Sequence, residues 1–178
     1  PELANVSNNI ILYCLSQLFP MMLTNAFSSA KLLEEVLAYA KLFSQNISHP
    51  FSRQTIRVTA MTGAAAMEIG GVTTASEFHY MQNKSYATQD EIDSHKETRL
   101  NIIDEVSFAG YHTALVGTSH FLQKATECNE FQYGRAAMCF LGAFCQLETI
   151  DKDVIYNQVD GIYWEQSLNC LVELKGTH

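Results

Sequence analysis

The run Asn101-Ile102-Ile103-Asp104-Glu105-Val106-Ser107 constrains this chain more than any other segment: an apolar stretch stops abruptly at two carboxylates. That is how a buried parallel strand reads when it delivers polar groups at its carboxyl end, where open α/β sheets hold their ligands. A second run of the same kind, Cys139-Phe140-Leu141-Gly142-Ala143-Phe144-Cys145-Gln146-Leu147, ends near Gln146. An acidic pair after a strand suits a metal-bound phosphate. One carboxylate orients hydrated Mg²⁺, the second positions or deprotonates the attacking water, and a downstream glutamine senses the terminal phosphate. Alone, an Asp-Glu pair more often caps a helix or faces solvent, so its surroundings must carry the assignment.

Those surroundings are ordered. Strand-like Thr55-Ile56-Arg57-Val58 leads into Thr59-Ala60-Met61-Thr62-Gly63-Ala64-Ala65-Ala66-Met67-Glu68-Ile69-Gly70-Gly71-Val72-Thr73-Thr74. This reads as strand, Thr-Gly turn, small-residue helix, Gly-Gly turn and second helix. Upstream, an amphipathic helix is expected over 31–46, with Leu33, Val36, Leu37, Ala40 and Phe43 inward and Glu34, Glu35 and Lys41 outward. Residues 81–98 read as an exposed insertion holding a short helix. Further strands are expected at 100–103 and 137–141, a helix over 110–126, a short helix at 161–168 and a last strand at 170–174. Alternation of strand and helix argues for one α/β domain with a mostly parallel sheet and helices on both faces.

With these segments in place the chain resembles a known family. Thr-Gly-Ala-Ala with Ile-Gly-Gly-x-Thr-Thr, then Ile-Ile-Asp-Glu-x-Ser, then Leu-Gly-x-Phe-x-Gln-Leu is similar to the Pif-one-type, RecD-like DNA helicases of superfamily one, from about Lys31 to His178. The resemblance implies the first of two RecA-like motor domains of the P-loop NTPase class, hydrolysing ATP with Mg²⁺ to move five-prime to three-prime along single-stranded DNA. It implies catalytic roles for Asp104, the Mg²⁺ ligand, for Glu105 and for Gln146. It places Thr62, Gly63, Thr74, Phe78 and His79 along the DNA track, with Phe78, His79 and Tyr80 as the available stacking side chains. Relatives act in telomere maintenance, DNA repair and recombination.

The same comparison exposes departures. A phosphate loop of the form GxxxxGK[ST] uses glycines so that backbone N–H groups cradle the phosphates, a lysine to neutralise charge and a hydroxyl to bind Mg²⁺. The candidate stretch, Leu23 to Lys31, contains no glycine. If Lys31 is the motif lysine, Asn25 and Ala30 replace the glycines. If Ser29 and Ala30 occupy the lysine and hydroxyl positions, Leu32, Leu33, Val36 and Leu37 fall into the family's helical phase; this second register is preferred, because phase constrains more than one matching residue. The degenerate nucleotide-binding residues are then Asn25, Ser28, Ser29, Ala30 and Lys31, with side chains where glycines should stand. Ala143 follows Gly142 where the family carries an aspartate, and Glu173-Leu174-Lys175-Gly176-Thr177-His178 stands where, by the same resemblance, relatives continue into an arginine-bearing motif and the second motor domain. The expectation is a helicase domain with impaired hydrolysis; the alternative is a DNA- or protein-binding module that has lost nucleotide chemistry. Residues 1–30 are the divergent part, with Gln17 the one nearby candidate for an adenine contact and Met21–Thr24 for the first core strand.

Bulk properties fit a single domain over 1–178. With 47% hydrophobic and 17% charged residues the chain is long enough to bury a sizeable core. Five cysteines without a Cys-x-x-Cys pair argue against a zinc site or a disulfide framework; Cys139 and Cys145 read as inert core thiols. The most apolar stretch, Ile10 to Leu23, is interrupted by Ser16, Gln17 and Pro20 and is too short to span a bilayer, and no basic residue precedes it. An intracellular setting, nucleus or cytoplasm, and no membrane partner are expected. A net charge of −8 is unusual for a DNA-binding protein. It is compatible with a local grip built from loop hydroxyls, backbone amides and stacking side chains.

Overall fold

The computed structural model describes residues 29–46, 54–79, 88–110 and 115–142. In chain order these form α1 (Ser29–Asn46), β1 (Ile56–Ala60), α2 (Gly63–Glu68), β2 (Val72–Thr73), α3 (Thr74–Glu77), α4 (Gln89–His95), β3 (Leu100–Asp104), a 3-10 turn at Val106–Phe108, α5 (Gly117–Ala125), a second 3-10 turn at Gln132–Arg135 and β4 (Ala137–Phe140). The four strands make one sheet in the order β2-β1-β3-β4, and every pairing is parallel. The expected helix and strand at 161–168 and 170–174 lie outside the described residues.

Alternation along the strands sorts the core into two faces. On one, Ile56, Ala60, Leu100 and Ile102 pack with Leu33 and Val36 of α1 and Ala65 and Ala66 of α2. On the other, Met138 and Phe140 of β4 pack with Phe78, Leu122 of α5 and Tyr133. Helices therefore cover both faces. α1 has the expected phase, with Leu33 and Val36 buried and Glu34, Glu35 and Lys41 exposed; the side chains of Ala40 and Phe43 lie outside the described residues. Leu115 and Leu122 are buried.

The Gly-Gly turn has a specific geometry. Gly70 sits at φ +65 just past α2, its N–H donates to Met67 O, and the Gly71 N–H reaches back to Ala66 O at 2.9 Å. This paired closure caps the last carbonyls of the helix, and its left-handed residue favours glycine. Gly71 is needed for a different reason: a Cβ there would run into the Val58 carbonyl of β1. After the turn comes a two-residue strand, β2, paired Thr59↔Val72 and Ala60↔Thr73, before the short helix α3. The expected second helix is thus delayed and reduced to one turn, because the edge of β1 is open to pairing.

The 81–98 segment also differs from the exposed insertion expected. Its described part opens with a capping box, Thr88 with Glu91, and carries α4, but its inner side is tied to the sheet. His95 and Thr98 are buried. Thr98 Oγ1 donates to Gln54 O and accepts from Arg57 Nε. Arg57, on β1, also pairs with Glu77 Oε1 of α3 at 2.5 Å and donates to the Ser94 carbonyl. Glu77 Oε1 lies 3.1 Å from His95 Nε2, and His79 Nε2 lies 3.1 Å from Glu91 Oε1. Sequence reading missed this cluster because its members are polar and come from three separate stretches of the chain.

Burial opposes ionisation of Glu77, but the hydrogen bond to His95 and the charges of Arg57 and His95 outweigh it and hold the carboxyl below its ordinary 4.5. A carboxylate whose folded value is lowered contributes stability that is complete above its unfolded value and is lost as pH falls through the folded one.

Two outcomes follow from this packing. Gly71→Ala should lower the unfolding free energy by about 1–3 kcal/mol in urea titrations, because the added methyl meets backbone that cannot yield. Glu77→Gln should cost about 1–3 kcal/mol at pH 7 and flatten the loss of stability on acidification below about pH 5, measured by the same titrations across pH.

Candidate nucleotide and nucleic-acid site

Parallel register brings the carboxyl ends of the strands together. Ala60 is level with Asp104, and the Met61 N–H donates to Asp104 O at 3.1 Å, carrying the β1–β3 pairing one residue further. Beyond β4, the Leu141 N–H donates to Ile103 O, and Leu141 O accepts from the Val106 N–H, both at 2.9 Å. The chain then passes across the end of β3 so closely that a Cβ on Gly142 would stand 3.1 Å from Val106 N and 3.2 Å from Ser107 N. That contact gives Gly142 a structural reason. Gln146 lies four positions later and outside the described residues.

At this rim the two carboxylates differ. Asp104 is buried, on the face shared with Leu100 and Ile102, and its Oδ1 accepts the Glu105 N–H at 2.8 Å. Glu105 is half-buried and left-handed, φ 54 and ψ 37, a conformation that costs a non-glycine residue on the order of 1–3 kcal/mol. The turn is held by the Val106 N–H bond to Leu141 and by the side chain itself, since Thr62 Oγ1 donates to Glu105 Oε2 at 2.5 Å. Thr62 also caps α2, its Oγ1 accepting from the Ala65 N–H at 3.3 Å.

Among the described residues no group of three or more His, Cys, Asp or Glu side chains stands ready to hold a metal. Mg²⁺ needs less, one or two carboxylates with waters and phosphate oxygens completing the shell. Asp104 fits that role, since Oδ2 meets no protein donor among the described residues. Cys139 shares its face of the sheet. Burial, and after it the Asp104 carboxylate, push the thiol up to about 11, so it is protonated at neutral pH.

Of the expected phosphate-loop residues, Asn25 and Ser28 lie outside the described residues. Ser29 and Ala30 open α1, and Lys31 follows with its side chain exposed. Of the expected DNA-track residues, Thr62 and Gly63 flank the carboxylates, and Gly63 is exposed with open space around its Cα. Thr74 is fully buried, its hydroxyl without a hydrogen-bond partner among the described residues. Phe78 is placed differently from the expectation. It is 4% exposed, and its ring packs against His95 and edge-on to Phe121 at 5.6 Å, so no face is open to a base. The cause is the α4–α5 layer that closes over α3. His79 is half-buried at φ 55 beside Glu91 and Phe121; Tyr80 lies outside the described residues.

Three features escaped the sequence reading. The Thr62–Glu105 bond joins residues 43 apart and has no local signal. Asn101, in the centre of β3, is buried with neither side-chain polar atom bonded among the described residues, and Ser107 Oγ is likewise buried and unpartnered. Both were visible only as polar letters in an apolar run.

No protein-family model matches this chain, and no curated protein does. Among solved structures it is similar to Pif1 helicase from Candida albicans, at 20% identity and a TM-score of 0.65 over 94% of this chain and 39% of that one. It is also similar to Pif1 helicase from Bacteroides in complex with ADP-AlF3 and ssDNA, at 23% identity and a TM-score of 0.54 over 69% of this chain and 27% of that one. For Bacteroides Pif1 bound to ssDNA the values are 21%, 0.54, 78% and 33%. This chain therefore spans well under half the length of those proteins. No helix among the described residues is long and apolar enough to cross a membrane. At such identities the likeness concerns architecture, and the architecture is the RecA-like α/β domain seen in the Pif1 helicase structures.

Proposed function

We propose that this chain is the first RecA-like motor domain of an ATP-dependent DNA helicase, built to move five-prime to three-prime on single-stranded DNA and weakened in hydrolysis. One observation carries the reading: Asp104, Glu105 and the Thr62-Gly63 turn stand together at one rim of a parallel sheet. Asp104 holds hydrated Mg²⁺, which neutralises phosphate charge when bound. Glu105 orients the attacking water, and Gln146, four positions after Gly142 in sequence, senses the terminal phosphate. Thr62 and Gly63 contact the DNA backbone and His79 lies further along the track. The solved structures it is similar to include complexes with ADP-AlF3, ADP-AlF4 and ssDNA. A second motor domain, in the same polypeptide or another, completes the machine, which works inside the cell, in nucleus or cytoplasm, in DNA repair, recombination or telomere maintenance.

The weakening rests on the phosphate loop. Leu23 to Lys31 contains no glycine, the residue that lets backbone amides approach phosphates closely. That same stretch favours a second reading, a DNA- or protein-binding module without nucleotide chemistry. Oligo(dT) should bind in the absence of nucleotide, read by fluorescence anisotropy. ATP turnover with DNA should not exceed that of the Asp104→Asn, Glu105→Gln double variant. Saturable binding of a fluorescent ATP analogue with Mg²⁺ supports the motor reading, and its absence with DNA binding intact supports the module. Clear turnover that the double variant abolishes overturns the weakening, and failure to bind oligo(dT) overturns the DNA track.

A further inference from the structure

A hydroxyl has one proton. Thr62 Oγ1 spends its lone-pair side on the Ala65 N–H and gives its proton to Glu105 Oε2 at 2.5 Å, a short bond to a charged acceptor. Thr62 is half-buried, and beside it Gly63 is exposed with nothing within 4 Å of its built Cβ, so an incoming group can reach the turn from outside. Glu105 follows β3 directly, and its left-handed backbone is pinned by the Val106–Leu141 bond, so its carboxylate can leave the Thr-Gly turn only by rotation of its own side chain. The carboxylate is therefore held toward the Thr-Gly turn by a single proton.

From this geometry we infer that Thr62 is a positioning residue that makes Glu105 sense single-stranded DNA: a DNA phosphate and the Glu105 carboxylate compete for the one Thr62 hydroxyl proton. The inference rests on the proposed placement of DNA at Thr62 and Gly63. A phosphate oxygen that takes the proton breaks the bond to Glu105 and frees the carboxylate to swing toward the nucleotide side of the rim. No covalent bond changes. Coupling of this kind is reciprocal, so whatever weakens the hold of Glu105 on Thr62 must also tighten DNA binding. The effect is readable without ATP, which matters in a chain whose hydrolysis is weakened.

The experiment is a double-mutant cycle on oligo(dT) affinity, measured by fluorescence anisotropy on the 178-residue chain without nucleotide. Glu105→Gln, which replaces a charged acceptor with a neutral one, should tighten binding about three- to tenfold. In the Thr62→Val background, where no hydroxyl remains to release, the same change should alter affinity by less than about twofold. Thr62→Ser keeps the hydroxyl and should restore the full effect, which a merely structural role of Thr62 would not do. Equal tightening in the Val and Thr backgrounds would mean that removal of negative charge acts on DNA at a distance, and would overturn the inference while leaving the DNA track standing. No binding by any variant would overturn the track and the inference together. If Thr62→Val fails to fold, the Ser background decides: loss of the Glu105→Gln effect there refutes the link.

Discussion

The β1–β3 pairing sets everything that follows. Five residues of each strand run parallel from Ile56↔Leu100 to Ala60↔Asp104, and the Met61–Asp104 bond extends the match past the sheet. A slip of one residue would turn Asp104 to the opposite face and move Thr62 out of reach of Glu105. Register in turn depends on burial. Leu100, Ile102 and Ile103 are almost wholly removed from water, and each contributes roughly 1.5–3 kcal/mol to keeping this alignment. The polar side chains at the rim are thus held in place by aliphatic packing beneath them.

The two faces of the sheet are stabilised by different means. Toward α1 and α2 the contacts are aliphatic. Toward α3, α4 and α5 a guanidinium from the middle of β1 is enclosed by Glu77, Thr98 and the Ser94 carbonyl, with an aromatic layer of Phe78, His95 and Phe121 beside it. Breaking such a pair leaves a buried charge without compensation, so the cluster specifies one arrangement of the short helices.

Segments that pack through their own periodicity were legible in the sequence. The strands expected at 55–60, 100–103 and 137–141 stand at Ile56–Ala60, Leu100–Asp104 and Ala137–Phe140, and the helix expected at 31–46 begins at Ser29. The Thr-Gly and Gly-Gly turns were legible because a cap and a left-handed glycine leave local marks. Contacts between distant segments were not. Val72–Thr73 is too short to show alternation and becomes a strand only because β1 has a free edge. Phe78, a stacking candidate by resemblance alone, is covered by side chains of α4 and α5. Thr98 reads as a loop residue, yet it serves Arg57 from 41 positions away. At the candidate site, Asp104 and Glu105 stand out in the sequence by type and position, whereas the bond from the Thr62 hydroxyl to Glu105 is visible only in the fold.

Glu105 stands in a backbone conformation that glycine adopts freely and asparagine or aspartate more readily than most. Any of the three would relax the turn, so a random library at this position, ranked by heat resistance alone, should enrich for them over the residue that nature installed. The glutamate therefore stands at an α-carbon whose main chain favours other residues, and its tether to Thr62 is one of the contacts that hold it there.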